Sequence, residues 1–99
     1  MNIKIQSLHF DADRKLEDFV ESKVSKLVNR HEDVLSADIV LKLENTQDPE
    51  NKIAEIKLEI PGNDIFAKKQ SKSFEEATDI ALEAVKRQLK KYKEKRRGK

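Results

Sequence analysis

The chain has 99 residues, of which 40% are charged, 5% are aromatic and none is Cys, and its formal net charge is +2. That length supports one domain around a single modest core, which the shortage of aromatics makes aliphatic. Disulfides and thiolate metal ligands are excluded, and no apolar run reaches the roughly 18 residues of a membrane span. The small net charge conceals a division: residues 1–67 carry 9 basic and 14 acidic side chains, a net of −5, whereas residues 68–99 carry 12 and 5, a net of +7. Such bipolarity points to nucleic acid or another anionic surface as partner.

Asn2 to Ser7 alternates Ile3 and Ile5 with Lys4 and Gln6, which predicts a short strand. It opens the sequence with no apolar signal core ahead of it, so the expected location is cytoplasmic. Asp11 and Asp13 are candidate N-caps for a helix from Arg14 to about Arg30, whose apolar positions Leu16, Phe19, Val20, Val24, Leu27 and Val28 have helical spacing. Lys23, Lys26 and Arg30 fall close together on its other side.

Ser36 to Glu44 alternates again, with Ala37, Ile39, Leu41 and Leu43 on one face. A polar hairpin loop, Asn45 to Asn51, leads to a strand from Lys52 to Ile60 with Ala54, Ile56, Leu58 and Ile60 inward. Pro61-Gly62 fits a type II turn, extended by Asn63 and Asp64. A last short strand is predicted from Ile65 to Lys69, with Phe66 assigned to the core.

The final helix begins at Ser73, which forms a capping box with Glu76. Phe74, Ala77, Ala81, Val85, Leu89 and Tyr92 make its apolar stripe. From Ala84 onward there are nine Lys or Arg against one acid, Glu94. Glu83 is placed to serve Arg87, but a salt-bridged surface helix needs more carboxylates than this, and dipole complementarity accounts only for cations in the last turn. Self-repulsion is expected to fray the basic tail from about residue 94 unless an anionic partner is present.

The element order is thus β-α-β-β-β-α in the α+β class: a four-stranded sheet with two helices packed on one face, as a single domain over 1–99. Strands one and two are expected to be parallel if they are neighbours. No catalytic residue, metal site or cofactor is expected. His9 and His31 lack partners at helical ligand spacing and read as satisfied or solvated side chains. The serines lie in no nucleophile-elbow context, and two glycines cannot build a phosphate loop. Glu55 and Glu59 share an open strand face without the burial that shifts a pKa. With no aromatic array on the strands, recognition falls to shape and phosphate contacts by two basic helix faces.

The element order, the segments FVESKVSKL at 19–27 and ADIVLKLE at 37–44, and above all ALEAVKRQLKKYKEK at 81–95 resemble the short ribosome hibernation-promoting factors and ribosome-associated translation inhibitors of bacteria. Arg87-Gln88-Leu89, Lys91 and Lys93 follow that family's R-Q-L-x-K-x-K pattern, Asp79 stands before it, and Lys23 and Lys26 match its paired lysines. Glu75 departs from it, where many members carry Tyr. The resemblance implies a stationary-phase, stress-response factor. Such a factor binds the rRNA of the small ribosomal subunit in the mRNA and tRNA channel at the A and P sites, blocking translation and preserving idle ribosomes. The two basic helix faces, Lys23, Lys26 and Arg30 on the first helix and Lys86, Arg87, Lys90, Lys91, Lys93 and Arg97 on the second, are the expected rRNA-binding residues, and of these the resemblance itself matches Lys23, Lys26, Arg87, Lys91 and Lys93. It further implies no membrane or small-molecule partner and a monomer off the ribosome. Long members add a C-terminal domain that pairs ribosomes. This sequence stops at Lys99, so pairing by this chain alone is not expected; it would promote dimers with a second factor or hold single ribosomes inactive. The alternatives are a generic double-stranded RNA-binding module, or a basic interaction module for an acidic partner or anionic membrane.

Overall fold

Two periodicities, two for the strands and 3.6 for the helices, sort this chain into one sheet and a pair of helices. The computed structural model describes residues 2–97, with side chains through residue 94. The elements are β1 (Asn2–Leu8), α1 (Arg14–Asn29), β2 (Ser36–Leu43), β3 (Lys52–Ile60), β4 (Asn63–Ser71) and α2 (Phe74–Arg97). The sheet order is β1-β2-β3-β4. β1 runs parallel to β2, as the crossover through α1 requires, and the other pairings are antiparallel.

Register aligns the aliphatic residues in rows across the sheet. Ile3, Ala37, Leu58 and Ile65 form one row, and Ile5, Ile39, Ile56 and Ala67 the next. A slip of one residue in any strand would turn its apolar set to solvent, so burial itself specifies the register. Over this face α1 lays Leu16, Val20, Val24, Leu27 and Val28, and α2 lays Phe74, Ala77, Ala81, Leu82, Val85 and Leu89. α2 packs over β3 and β4, and α1 against β1 and α2.

Caps and tethers fix the helices on this bed. Asp13, the second of the two candidates, is the N-cap of α1, its carboxylate accepting from the Leu16 amide at 2.8 Å. The Ser73 hydroxyl accepts from the Glu76 amide at 3.1 Å, one half of the predicted box. At the start of α2 the Phe74 ring stacks on Phe10, centroids 4.3 Å apart. Farther along, Gln88 Nε2 donates to the Phe66 carbonyl at 2.8 Å, and the Tyr92 hydroxyl donates to the Pro61 carbonyl at 3.3 Å.

Two expectations need correction. β4 is longer than Ile65–Lys69, because Asn63 pairs directly with Ile60 across a two-residue turn and Asp64 is held by Lys57 at 3.6 Å. Phe66 is 50% exposed, not core: Ile65 and Ala67 take the covered face, and Phe66 projects with Lys57 from the open one. Ile53, in contrast, is buried outside the helix-covered cluster. It lies in a row with Lys42 and Gln70, and the Gln70 side chain donates to the Glu50 carbonyl of the hairpin loop.

Two stability predictions follow from these positions. Gly62 has φ +76°, and a Cβ there would meet nothing within 4 Å, so the cost of Gly62→Ala is conformational alone. It should lower stability by about 1–2 kcal/mol, seen as a lower urea midpoint with unchanged slope. Thr78 is fully buried with its Oγ1 unpaired. Thr78→Val keeps the shape and removes the unpaired hydroxyl, so its midpoint should rise, by about 1 kcal/mol. A fall would show that the hydroxyl has a partner.

Candidate nucleic-acid interface

The cations are gathered by the way the helices lie. Lys23 of α1 reaches Asp79 of α2, while Arg30 and His31, at the end of α1, meet Lys86 and Lys93 farther along α2. Contacts advance together along both helices, so these run side by side in the same direction. Their carbonyl ends therefore share one end of the molecule, where the negative poles of two dipoles favour positive charge. Each pole is worth only about half an elementary charge, far less than the cations assembled there.

With α2 pinned by Ala81, Val85 and Leu89, rotation of about 100° per residue sends its basic residues in two directions. Lys86, Lys90 and Lys93 line the side facing α1 and border a depression there with Leu27, Arg30 and His31. Arg87 and Lys91 lie one position farther round, on the outer side, and both are exposed. Gln88 turns the other way, to β4. The result is a continuous cationic surface across the end of α1 and the outer half of α2.

Not every predicted residue is equally available. Lys26, Arg30, Arg87, Lys90 and Lys91 are exposed, and none of them belongs to an ion pair among the described residues. Arg30 also supplies the C-cap of α1, its amide donating to the Leu27 carbonyl while the His31 amide donates to that of Val28. Lys23 is tied down: its Nζ sits 3.6 Å from Asp79 and 5.4 Å from the centre of the Phe19 ring. Glu83 pairs with Lys86 at 3.4 Å, not with Arg87 as expected. Arg97 ends α2, and its side chain lies outside the described residues, as do Gly98 and Lys99.

His31 is the member that sequence reasoning missed. Lys93 Nζ lies 2.8 Å from its Nδ1. A lysine ammonium can only donate, so Nδ1 accepts and the neutral ring carries its proton on Nε2. Burial first, then Lys93 and Arg30, hold the His31 pKa below its ordinary 6.5, against a smaller opposing pull from Asp33. Only its position one residue after Arg30 could have hinted at this.

Among the described residues no group of His, Cys, Asp and Glu is arranged to hold a metal ion, and no helix is long and apolar enough to cross a membrane. His9 stands apart from the cationic surface, exposed and with φ 70° at the end of β1.

The contrast between the two α1 lysines is testable. Lys23→Glu sets a carboxylate beside Asp79 and should lower stability by up to about 1 kcal/mol, the scale of an exposed ion pair. Lys26→Glu, with no ion-pair partner among the described residues to lose, should leave the melting temperature within error. Equal melting temperatures would mean that the Lys23–Asp79 pair adds nothing in solution.

Residues 3–97 match a family described as Sigma 54 modulation protein / S30EA ribosomal protein. The chain is 27% identical over 98 residues to a Ribosome hibernation promoting factor of Pseudomonas putida, spanning 99% of this chain and 92% of that one. A ribosomal subunit interface protein from Coxiella burnetii has the same fold, with a TM-score of 0.82 over 94% of this chain and 98% of that one at 22% identity. The N-terminal domain of Thermus thermophilus Protein Y aligns with a TM-score of 0.76 at 25% identity, over 93% of this chain and 99% of that domain. Element order, helix arrangement and a match across nearly every residue agree: the chain belongs to the Sigma 54 modulation protein / S30EA ribosomal protein family.

Proposed function

We propose that this protein is a ribosome hibernation factor that binds the small ribosomal subunit through the basic faces of α1 and α2. It lies in the channel of mRNA and of tRNA at the A and P sites, where it blocks translation by occupancy and preserves idle ribosomes. The observation that carries this reading is the cationic surface of Lys26, Arg30, Arg87, Lys90 and Lys91, none ion-paired among the described residues, on two helices at one end of the molecule. Clefts between rRNA helices concentrate negative potential, and Lys and Arg that meet phosphates there release counterions. Arg87 can hold a phosphate with two parallel hydrogen bonds, which Lys91 cannot. The names of the Pseudomonas putida and Coxiella burnetii relatives support a ribosomal partner. In this reading the protein is one ribosome-binding domain, cytoplasmic, and monomeric off the ribosome. The expected fraying from about residue 94 falls where α2 is helical through Arg97, with Gly98 and Lys99 outside the described residues.

Phe66 does not favour single-strand recognition. It is one exposed aromatic beside Lys57, whereas sheet platforms stack two or three bases on several rings.

Co-sedimentation with purified subunits through sucrose, over a salt series, tests the proposal. Saturable one-to-one pelleting with small subunits alone, displaced by tRNA and mRNA, is expected. Six phosphate contacts would give a log–log salt slope of about −4 to −5. Arg87→Glu with Lys91→Glu should weaken binding and reduce that slope by about 2 without lowering the melting temperature. Equal, unsaturable pelleting with both subunits would reduce the helices to a generic RNA-binding arm.

A further inference from the structure

We infer that the depression between the end of α1 and the middle of α2 seats one phosphate of an RNA backbone, and that His31 takes up a proton to bind it. The inference rests on the RNA-binding reading above and adds a residue and a proton to it.

The depression is framed by three elements. Arg30 closes α1, His31 opens the turn that follows, and Lys86, Lys90 and Lys93 come from α2. Glu94 is the one carboxylate on its rim, and Lys86 is shared with Glu83. Asp33, farther along the turn, also acts on the imidazole, with a sign opposite to Lys93, Arg30 and Lys86. Four cations thus converge against one rim acid and Asp33, around a half-buried ring. Lys93 spends one of its three donors on a neutral imidazole nitrogen.

That hydrogen bond is the unusual element. A lysine beside a histidine gains less than it would from any anion, because the acceptor carries no charge. A phosphate entering the depression offers Lys93 a better acceptor, and the ammonium transfers its bond from Nδ1 to a phosphate oxygen. Nδ1 is then free to accept a proton from solvent, and the imidazolium donates it to a second phosphate oxygen. The balance is one proton taken from bulk water for each phosphate seated, with no other bond made or broken.

The sign of the linkage follows. In the free protein, burial, Lys93, Arg30 and Lys86 all oppose the charged ring, so the His31 pKa is held below its ordinary 6.5. The seated anion compensates those cations and favours the charged ring, raising the proton affinity. Binding that takes up a proton strengthens as pH falls, across the interval between the free and bound midpoints, at most about tenfold per pH unit for a single proton. His9, remote from the cluster, is the internal control.

Two measurements on the full-length protein test this. Histidine side-chain NMR is recorded through a pH titration in chloride and in sulfate at equal ionic strength, sulfate being an oxyanion that does not itself titrate in this range. The His31 midpoint should rise in sulfate by about half a unit or more, with His9 unmoved. Movement of both rings together, or of neither, would overturn the seat. In parallel, co-sedimentation with small subunits at pH 6 and pH 8 should show several-fold tighter binding at the lower pH. His31→Gln, which cannot titrate, should flatten that difference.

An unchanged pH dependence in His31→Gln would overturn the proton linkage. If the Arg87 and Lys91 reversals still weaken pelleting, the ribosomal reading stands without it. A sulfate response without any subunit binding would overturn the RNA assignment and leave an adventitious ion only.

Discussion

The cationic end exists because α1 and α2 lie side by side in the same direction over one face of the sheet. That arrangement is set by burial and not by charge. Ala77, Ala81, Val85 and Leu89 pin the rotation of α2 on β3 and β4, while Val20, Val24, Leu27 and Val28 pin α1 beside it. Once both rotations are set, the direction of every helix side chain is decided. Lys86, Lys90 and Lys93 must face α1, and Arg87 and Lys91 must face outward. The small residues Ala77 and Ala81 let α2 come close to the strands, and the Gln88 and Tyr92 tethers to β4 and its turn stop it rolling.

Gathering like charges costs stability, and the molecule answers this unevenly. At the start of α2 the cost is met locally, by Asp79 against Lys23 and Glu83 against Lys86. Beyond residue 86 the carboxylates nearly cease, and Lys93 turns to a neutral imidazole. The open face of the sheet is organised the other way. Across it Lys4, Asp38 and Lys57 alternate in sign along one row, and Glu55 stands opposite Lys68 in the next. Alternating charge there cancels at short range, so the molecule's field is one-sided. A surface merely selected for solubility would have no need of that difference between its two halves.

The fold was legible in the sequence because each element carried its own period and its own punctuation. Alternation at Ala37, Ile39 and Leu41 has no helical reading; Leu16, Val20 and Val24 have no strand reading. What was missed has a common physical origin. Phe66 was assigned by hydrophobicity, but period two had already given Ile65 and Ala67 the covered face, and phase outranks apolar character within a strand. Lys23 read as a free cation because its partner, Asp79, is remote in sequence. His31 looked ordinary because nothing at helical spacing accompanies it, and the residues that give it a role come from another helix. Contacts within an element could be read directly; contacts between elements needed the packing.

The same distinction separates binding from stability. Arg87, Lys90 and Lys91 touch neither the core nor a carboxylate among the described residues, so their charge can be altered with little effect on folding. Lys23 and the Lys93–His31 pair belong to both accounts, since each joins the two helices and each carries charge at the interface. The free protein thus uses for internal contact donors that a phosphate could claim. Anion binding at Lys93 exchanges one hydrogen bond for another instead of adding one, and the gain is the difference between a charged and a neutral acceptor. A surface with every cation already free would bind more strongly, but it would have nothing to couple that binding to the protonation of the protein. Lys93 and His31 supply that coupling through one contact between the end of α1 and the face of α2.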